Sequence, residues 1–391
     1  MIIGRSVGKS ITRLAGKFPV ISITGPRQSG KTTLSRMCFP GYDYVNLEMP
    51  DSRSFAQSDP KHFLSRFEKG VIIDEIQYVP ELFSYIQGIV DERSETGQFI
   101  ITGSQNFLLM EKISQSLAGR VAIINLLPFS IEELKPEKVL PQAYDEYIFK
   151  GSYPRIYDKK ISPPDFYPSY IQTYLERDVR NISNIMNLTV FKTFLEIAAG
   201  RIGQVINFTS ISNELGVDQK TVKNWFSILE SSFIIFFIRP YTKNYNKRLI
   251  KSPRMYFFDT GLVCSLLGIN RSEDINRHFL RGSLFENLIF TELMKSNFNQ
   301  VRQSRLYFWK DNTGNEIDCI MQMGDTEKVI EIKSGITITP DFFKGLEYYR
   351  RLSGLPEDNF YLVYGGRSGH SRSIAKILGW TELSELTGTS I

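Results

Sequence analysis

The apolar positions of this 391-residue chain fall into short blocks separated by longer mixed stretches. Val20-Ile-Ser-Ile-Thr24 is an apolar, β-branched run of the kind that forms a buried strand. Tyr42–Leu47, Val71–Asp74, Phe99–Thr102 and Val121–Leu127 repeat the pattern and predict four more strands. Such spacing predicts an α/β unit, a parallel sheet with helices, over residues 1–135. From Leu140 to about Ile202 the pattern is mainly helical, broken near Gly151–Pro154 and at Pro163-Pro164, and predicts a connector or lid over 136–203. Ile211–Leu215 is a short amphipathic helix that Gly216 breaks, and Asp218 can cap a second helix, Gln219–Glu230. An apolar strand follows at Phe233–Ile238, so residues 204–258 read as a winged helix-turn-helix. Gly282–Lys295 then predicts a helix, and Leu306–Lys310, Glu316–Met321 and Lys328–Lys333 predict strands of a small α/β domain over 259–391.

Composition changes this picture little. The chain has 47 basic and 42 acidic residues, a net charge of +5, too mild to imply a polyanionic partner without a look at placement. Cys38, Cys264, Cys319, His62, His278 and His370 are scattered, which argues against a zinc site. No apolar run approaches membrane-spanning length, and a cytoplasmic protein with no membrane contact is expected.

Candidate chemistry begins at the end of the first strand. Gly25-Pro26-Arg27-Gln28-Ser29-Gly30-Lys31-Thr32-Thr33 is a Walker A sequence. Its glycines let successive backbone N–H groups face phosphate oxygens, and the helix starting near Lys31 adds its positive end. Lys31 would reach the β- and γ-phosphates of ATP, and Thr32 would ligate Mg²⁺. Val71-Ile-Ile-Asp74-Glu75 has the Walker B form, with Asp74 in the Mg²⁺ shell and Glu75 placed to deprotonate the attacking water. Arg120, after Ser116-Leu-Ala-Gly119, would serve either as a charge-neutralising finger, commonly donated by a neighbouring subunit of an oligomer, or as a cap on helix carbonyls.

Further along, Tyr174, Arg177, Asp178 and Arg180 fit a salt-bridged helix surface, with arginines that face nucleotide as the alternative. Lys220, Thr221, Lys223 and Asn224 open the second helix of the helix-turn-helix, where DNA would be met. Arg239, Lys243, Lys247, Arg248, Lys251 and Arg254, with Tyr241, Tyr245 and Tyr256 among them, form an acid-free stretch suited to a basic hairpin gripping phosphates; a protein partner or a solvated face is the alternative.

Glu286 falls among apolar positions of its helix, so a cation, a metal or a neighbouring side chain must neutralise it. Asp318 lies thirteen residues before Glu331-Ile-Lys333, and a hairpin would bring these together. An acid on a helix followed by D-(x)n-E-x-K has the PD-(D/E)xK nuclease form, in which Glu286, Asp318 and Glu331 would hold a second Mg²⁺ or Mn²⁺ and Lys333 would assist the nucleophile.

With these residues in hand, the chain resembles the bacterial and archaeal AAA+-like P-loop ATPases that carry a winged helix and a nuclease-like carboxyl-terminal domain. Gly25–Thr33, Asp74-Glu75, Thr102-Gly-Ser104, Leu117–Arg120, Gly151–Pro154, Tyr174–Asp178, Tyr256–Leu262 and the Glu286/Asp318/Glu331/Lys333 set carry the resemblance. It implies that Ser104, with Gln105, sits beside the γ-phosphate; the rival reading is an ordinary strand-to-turn junction. Two functions follow: an ATPase whose nucleotide state controls a DNA-binding, DNA-cleaving half, or a nucleotide-driven switch whose nuclease-like domain only docks a partner. A small-molecule kinase would share the phosphate loop alone.

Overall fold

Two β-sheets organise the chain. The computed structural model describes residues 3–388 except 94, 104–112, 114, 175–187, 242–251, 325 and 372. Ser104, Gln105, Arg177, Asp178, Arg180, Lys243, Tyr245, Lys247, Arg248 and Lys251 lie outside the described residues.

The first sheet contains β1 (Val20–Thr24), β2 (Asp43–Asn46), β3 (Val71–Asp74), β4 (Phe99–Gly103) and β5 (Val121–Asn125) in the order β2-β3-β4-β1-β5. Every pairing is parallel. Helices α1 (Gly8–Ala15) and α2 (Lys31–Cys38) pack on one face, where Ile21, Ile23, Ile72, Ile100 and Ile124 meet Val7, Ile11 and Leu34. The other face packs Val20, Ile73 and Ile101 against Leu82, Phe83 and Ile86 of α3 (Leu82–Arg93). Both faces are covered, which explains why these strands read as continuous apolar runs rather than alternating ones. Because β4 separates β1 from β3, the end of β4 sits between the phosphate loop and Asp74.

The connector helices are α4 (Tyr144–Lys150), α5 (Pro154–Asp158) and α6 (Pro163–Tyr174), and α7 (Leu188–Ala199) packs beyond them. Helices α8 (Phe208–Leu215) and α9 (Gln219–Ser231) meet at Gly216, which takes φ 65°, and the Asp218 side chain accepts from the Thr221 N–H at 2.8 Å. Gln219, Lys220, Lys223 and Asn224 are exposed, while Val222, Trp225, Phe226 and Leu229 are buried.

The second sheet has eight strands: β6 (Ile235–Pro240), β7 (Arg254–Phe257), β8 (Leu306–Lys310), β9 (Glu316–Met323), β10 (Thr326–Lys333), β11 (Phe360–Tyr364), β12 (His370–Ser371) and β13 (Lys376–Gly379). Their order is β12-β13-β11-β10-β9-β8-β6-β7. The β6–β7 pair therefore continues this sheet through the parallel β6–β8 pairing, on the near side of residue 258. After α10 (Thr260–Leu266), the 19-residue helix α11 (Arg281–Asn299) lies across one face of the sheet, and α12 (Lys344–Ser353) packs on the other. No helix among the described residues is long and apolar enough to cross a membrane.

Candidate functional site

The phosphate loop leaves β1 at Gly25, where the backbone passes so close to the next strand that a Cβ would lie 2.1 Å from the Leu126 carbonyl oxygen. Gln28 at φ 60° and Gly30 at φ 95° then turn the chain into α2. Ser29 is fully buried and its hydroxyl has no partner, a polar atom left for a ligand inside the loop. Lys31 is buried at the start of α2 and its ammonium donates to the Gly25 and Pro26 carbonyls at 3.0 and 2.9 Å, which folds it back over the loop.

Thr32 Oγ1 donates to Asp74 Oδ2 at 2.7 Å, so the second position of α2 touches the end of β3. A hydroxyl and a carboxylate in contact form an oxygen donor set of the kind Mg²⁺ takes. Asp74 is also held by Tyr44, whose hydroxyl donates at 2.8 Å, and by the Thr102 hydroxyl. Burial and the bond to Asp74 push the Tyr44 hydroxyl well up, which keeps it a donor. Glu75 follows in the left-handed region at φ 56°; its N–H points at Thr102 Oγ1, 3.4 Å away, and its carboxylate accepts from the Gln77 amide. A non-glycine residue in this conformation costs roughly 1 kcal/mol or more and tends to mark positions where side-chain direction matters. Neither Tyr44 nor Thr102 has a role assigned by the sequence pattern. Their signal was position, since both sit on strands flanking the Walker residues.

Arg5 completes the loop's support. Its guanidinium donates to the Ser29 carbonyl at 2.8 Å and the Leu127 carbonyl at 2.6 Å, and it pairs with Glu133 at 3.1 Å. Beside it a cleft of about 280 Å³ opens between Gly30, Thr33 and Met37 of the loop and α2, Ile3 and Phe129, and Pro154 and Asp158 of the connector.

Arg120 lies elsewhere. Its carbonyl pairs with the Val20 N–H at the amino edge of the sheet, whereas the phosphate loop leaves the carboxyl edge. Its guanidinium grips Asp91 through two bonds and caps the Ala118 carbonyl at 3.2 Å. It cannot serve the phosphate loop of its own chain, so any finger role would be toward another copy.

The carboxyl-terminal acids gather on the second sheet. Lys333 Nζ lies 2.7 Å from Glu331 and 3.2 Å from Asp318, and Asp318 also accepts from the Ile332 N–H at 2.8 Å. Glu286 accepts from the Tyr256 hydroxyl at 2.6 Å and pairs with Arg254 at 3.2 Å; Arg254 reaches Glu316 at 2.9 Å. The reading of Arg254 as a hairpin cation for phosphate is corrected here. It is buried, and its charge is spent on Glu286 and Glu316. Tyr241 and Tyr256 are likewise buried rather than interleaved on a surface.

Burial and the neighbouring Asp318 charge push Glu286 up to about 7 and Glu331 up to about 8, while the carboxylates hold Lys333 firmly protonated. Among the described residues no group of three or more His, Cys, Asp or Glu side chains is arranged to hold a metal ion. Glu331 Oε2 is nonetheless buried without a partner.

A third polar cluster joins the two sheets. On α11, Lys295 donates to Glu292 at 2.7 Å, to the Phe129 carbonyl at 2.8 Å and to Ser152 Oγ at 3.1 Å. Glu292 accepts from the Ile131 N–H at 2.7 Å and the Tyr147 hydroxyl at 3.1 Å. Ser152 donates in turn to Asp259, which also accepts from Tyr167 at 2.6 Å. Gly151 and Asp259, from two sequence blocks without an assigned chemistry, thus form one buried joint. A Cβ on Gly151 would lie 1.8 Å from the Tyr167 hydroxyl.

Comparison with known proteins covers the chain in three pieces. Residues 17–135 match the family described as AAA domain, 141–273 a domain of unknown function (DUF8612), and 281–383 another (DUF4143). An uncharacterized protein of Mycobacterium tuberculosis is 27% identical over 345 residues, 88% of this chain and 76% of its own. One of Haemophilus influenzae is 23% identical over 309 residues, 71% of this chain and 74% of its own. A Walker-type ATPase of Pyrococcus abyssi aligns in structure with a TM-score of 0.46 at 16% identity, over 68% of this chain and 96% of that one. Residues 17–135 thus match the AAA domain family, and their parallel sheet with a phosphate loop after its first strand has the P-loop form.

Proposed function

We propose that this protein binds ATP with Mg²⁺, hydrolyses it, and uses the nucleotide state to control a DNA-binding carboxyl-terminal half with an acidic centre of nuclease type. The observation that carries the first part is the 2.7 Å contact between Thr32 and Asp74 beside a loop whose buried Ser29 hydroxyl has no partner. In this reading the Gly25–Thr33 amides and Lys31 bind the phosphates, and the Gly30–Met37 cleft takes the nucleoside against Ile3 and Phe129. Thr32 and Asp74 hold the ion, which supplies charge neutralisation at the phosphates when bound. Glu75 takes the proton from water, and Thr102 and Tyr44 fix Asp74. Arg120 acts, if at all, on a neighbouring copy. DNA would meet the exposed start of α9; the expected phosphate contacts from Lys243, Lys247, Arg248 and Lys251 lie outside the described residues. The expected domain limits, 1–135, 136–203, 204–258 and 259–391, stand as the working division.

Lys31→Ala should abolish ATP turnover, measured as phosphate release by the purified full chain. Undiminished hydrolysis by that variant would refute the reading. For the acidic centre, the unpartnered Glu331 Oε2 favours a metal, and calorimetry with Mn²⁺ should give a heat that Asp318→Ala removes. The second reading, a switch whose nuclease-like domain only docks a partner, is favoured by Arg254 and Lys333 already neutralising the acids. It predicts no Mn²⁺ heat and no nicking of DNA.

A further inference from the structure

Charge is unevenly placed along the chain. Residues 1–42 contain seven cations and no Asp or Glu, and residues 293–310 contain Lys295, Arg302, Arg305 and Lys310 with no acid. The fold brings these two segments together. Ser10 Oγ of α1 approaches the Asn299 carbonyl at the end of α11 at 3.5 Å, and Val301 packs against the apolar cluster that includes Val7 and Ile11 of α1. At 100° per residue, Lys9 and Arg13 fall on the flank of α1 next to Ser10. Lys9, Arg13, Arg302 and Arg305 are all exposed, and none of the four side chains has an ion-pair or hydrogen-bond partner among the described residues.

Arg302 and Arg305 stand over a cleft of about 550 Å³ that also takes in Asn297, Gln303 and Gln322, with Met321 below. No acidic side chain among the described residues lines it, and none of the large exposed apolar side chains is there. Unpaired cations spanning two domains suit a chain of phosphates more than a single anion. Amide side chains that donate and accept suit base edges, and an unstacked base can enter a cleft directly where a duplex keeps its edges in grooves. The lack of exposed apolar anchors argues against a lipid surface.

We infer that the junction of α1 with the α11–β8 loop binds a single-stranded nucleic acid segment, its phosphates on Lys9, Arg13, Arg302 and Arg305 and a base in the Asn297–Gln322 cleft. This shares with the proposed function only the class of partner and places it on α1 and the α11–β8 loop rather than on α9. Because Lys9 and Arg13 belong to the amino-terminal unit and the cleft lies wholly in the carboxyl-terminal one, a strand bound to both would bridge the two.

The test is fluorescence anisotropy of a labelled 20-nucleotide single strand with the full chain at 50 and 200 mM salt. Arg302→Ala/Arg305→Ala and Lys9→Ala/Arg13→Ala should each weaken binding and lower the salt slope by about 1.4, two contacts at about 0.7 each. The advantage of the wild type over either variant then shrinks about sevenfold across that salt range. Lys220→Ala/Lys223→Ala serves as the comparison. If that pair alone abolishes binding and the cleft variants match wild type, the inference falls while the DNA-binding reading stands. If wild type binds no oligonucleotide at 50 mM salt, both fall. Arg302-dependent capture on phosphatidylserine vesicles without oligonucleotide binding would overturn the inference in favour of a lipid surface.

Discussion

Replacing Lys295 with Met removes a buried ammonium that has three acceptors: Glu292, the Phe129 carbonyl and Ser152 Oγ. Its side chain is 3% exposed and that of Glu292 4%, so water cannot take over. Stranding one member of a buried pair costs about 3–5 kcal/mol. Glu292 keeps the Ile131 N–H and the Tyr147 hydroxyl, which favours the lower end, about 3 kcal/mol. That is a large share of an ordinary stability of about 5–15 kcal/mol. Adding Glu292→Gln removes the stranded charge and should recover about half of the loss.

Urea denaturation of the three proteins at pH 7 is the assay. A deficit under about 1 kcal/mol, or one unchanged by Glu292→Gln, would refute the claim that this pair ties the sheets together.

Three further outcomes are expected. Asp74→Asn, which weakens the acceptor for Thr32, Tyr44 and Thr102, should reduce ATP affinity at least about tenfold with Mg²⁺ and much less with a chelator, by calorimetry. Glu331, raised to about 8, holds its proton in the folded state above the pH where the unfolded chain releases it, so metal-free protein should lose melting temperature as pH rises from about 4.5 to 8. Glu331→Gln should flatten that slope. Gly151→Ala, forced against Tyr167 and Asp259 at φ 67°, should lower the melting temperature by about two to three degrees, roughly 2 kcal/mol at this chain length, or prevent folding.

The nucleotide-binding half was legible because its signals are local. A β-branched run, a glycine-bounded loop and an apolar strand ending in Asp-Glu each specify their own geometry within a few residues. The Gly216 break and the Asp218 cap were legible for the same reason. What the sequence hid was long-range. Arg254 looked like one cation among six because charge count carries no information about Glu286, 32 positions away, or Glu316, 62 away. Glu286 was singled out as the embedded acid of its helix, yet Glu292 and Lys295 are the more deeply buried pair. Their spacing of three was the available sign, masked because α11 is covered on nearly every side. Arg120 read as a finger or a cap from its place after a helix, and only the strand register showed which edge of the sheet it occupies.

The Phe129–Ile131 segment leaves the ATPase sheet and at once surrenders a carbonyl and an amide to α11. Cutting the chain near residue 135 to obtain an independent carboxyl-terminal fragment would therefore leave two opposite charges in an apolar interior with their main-chain contacts missing. Dissection of this protein into separately soluble halves should yield aggregates or molten species. The two sheets are best studied as one body.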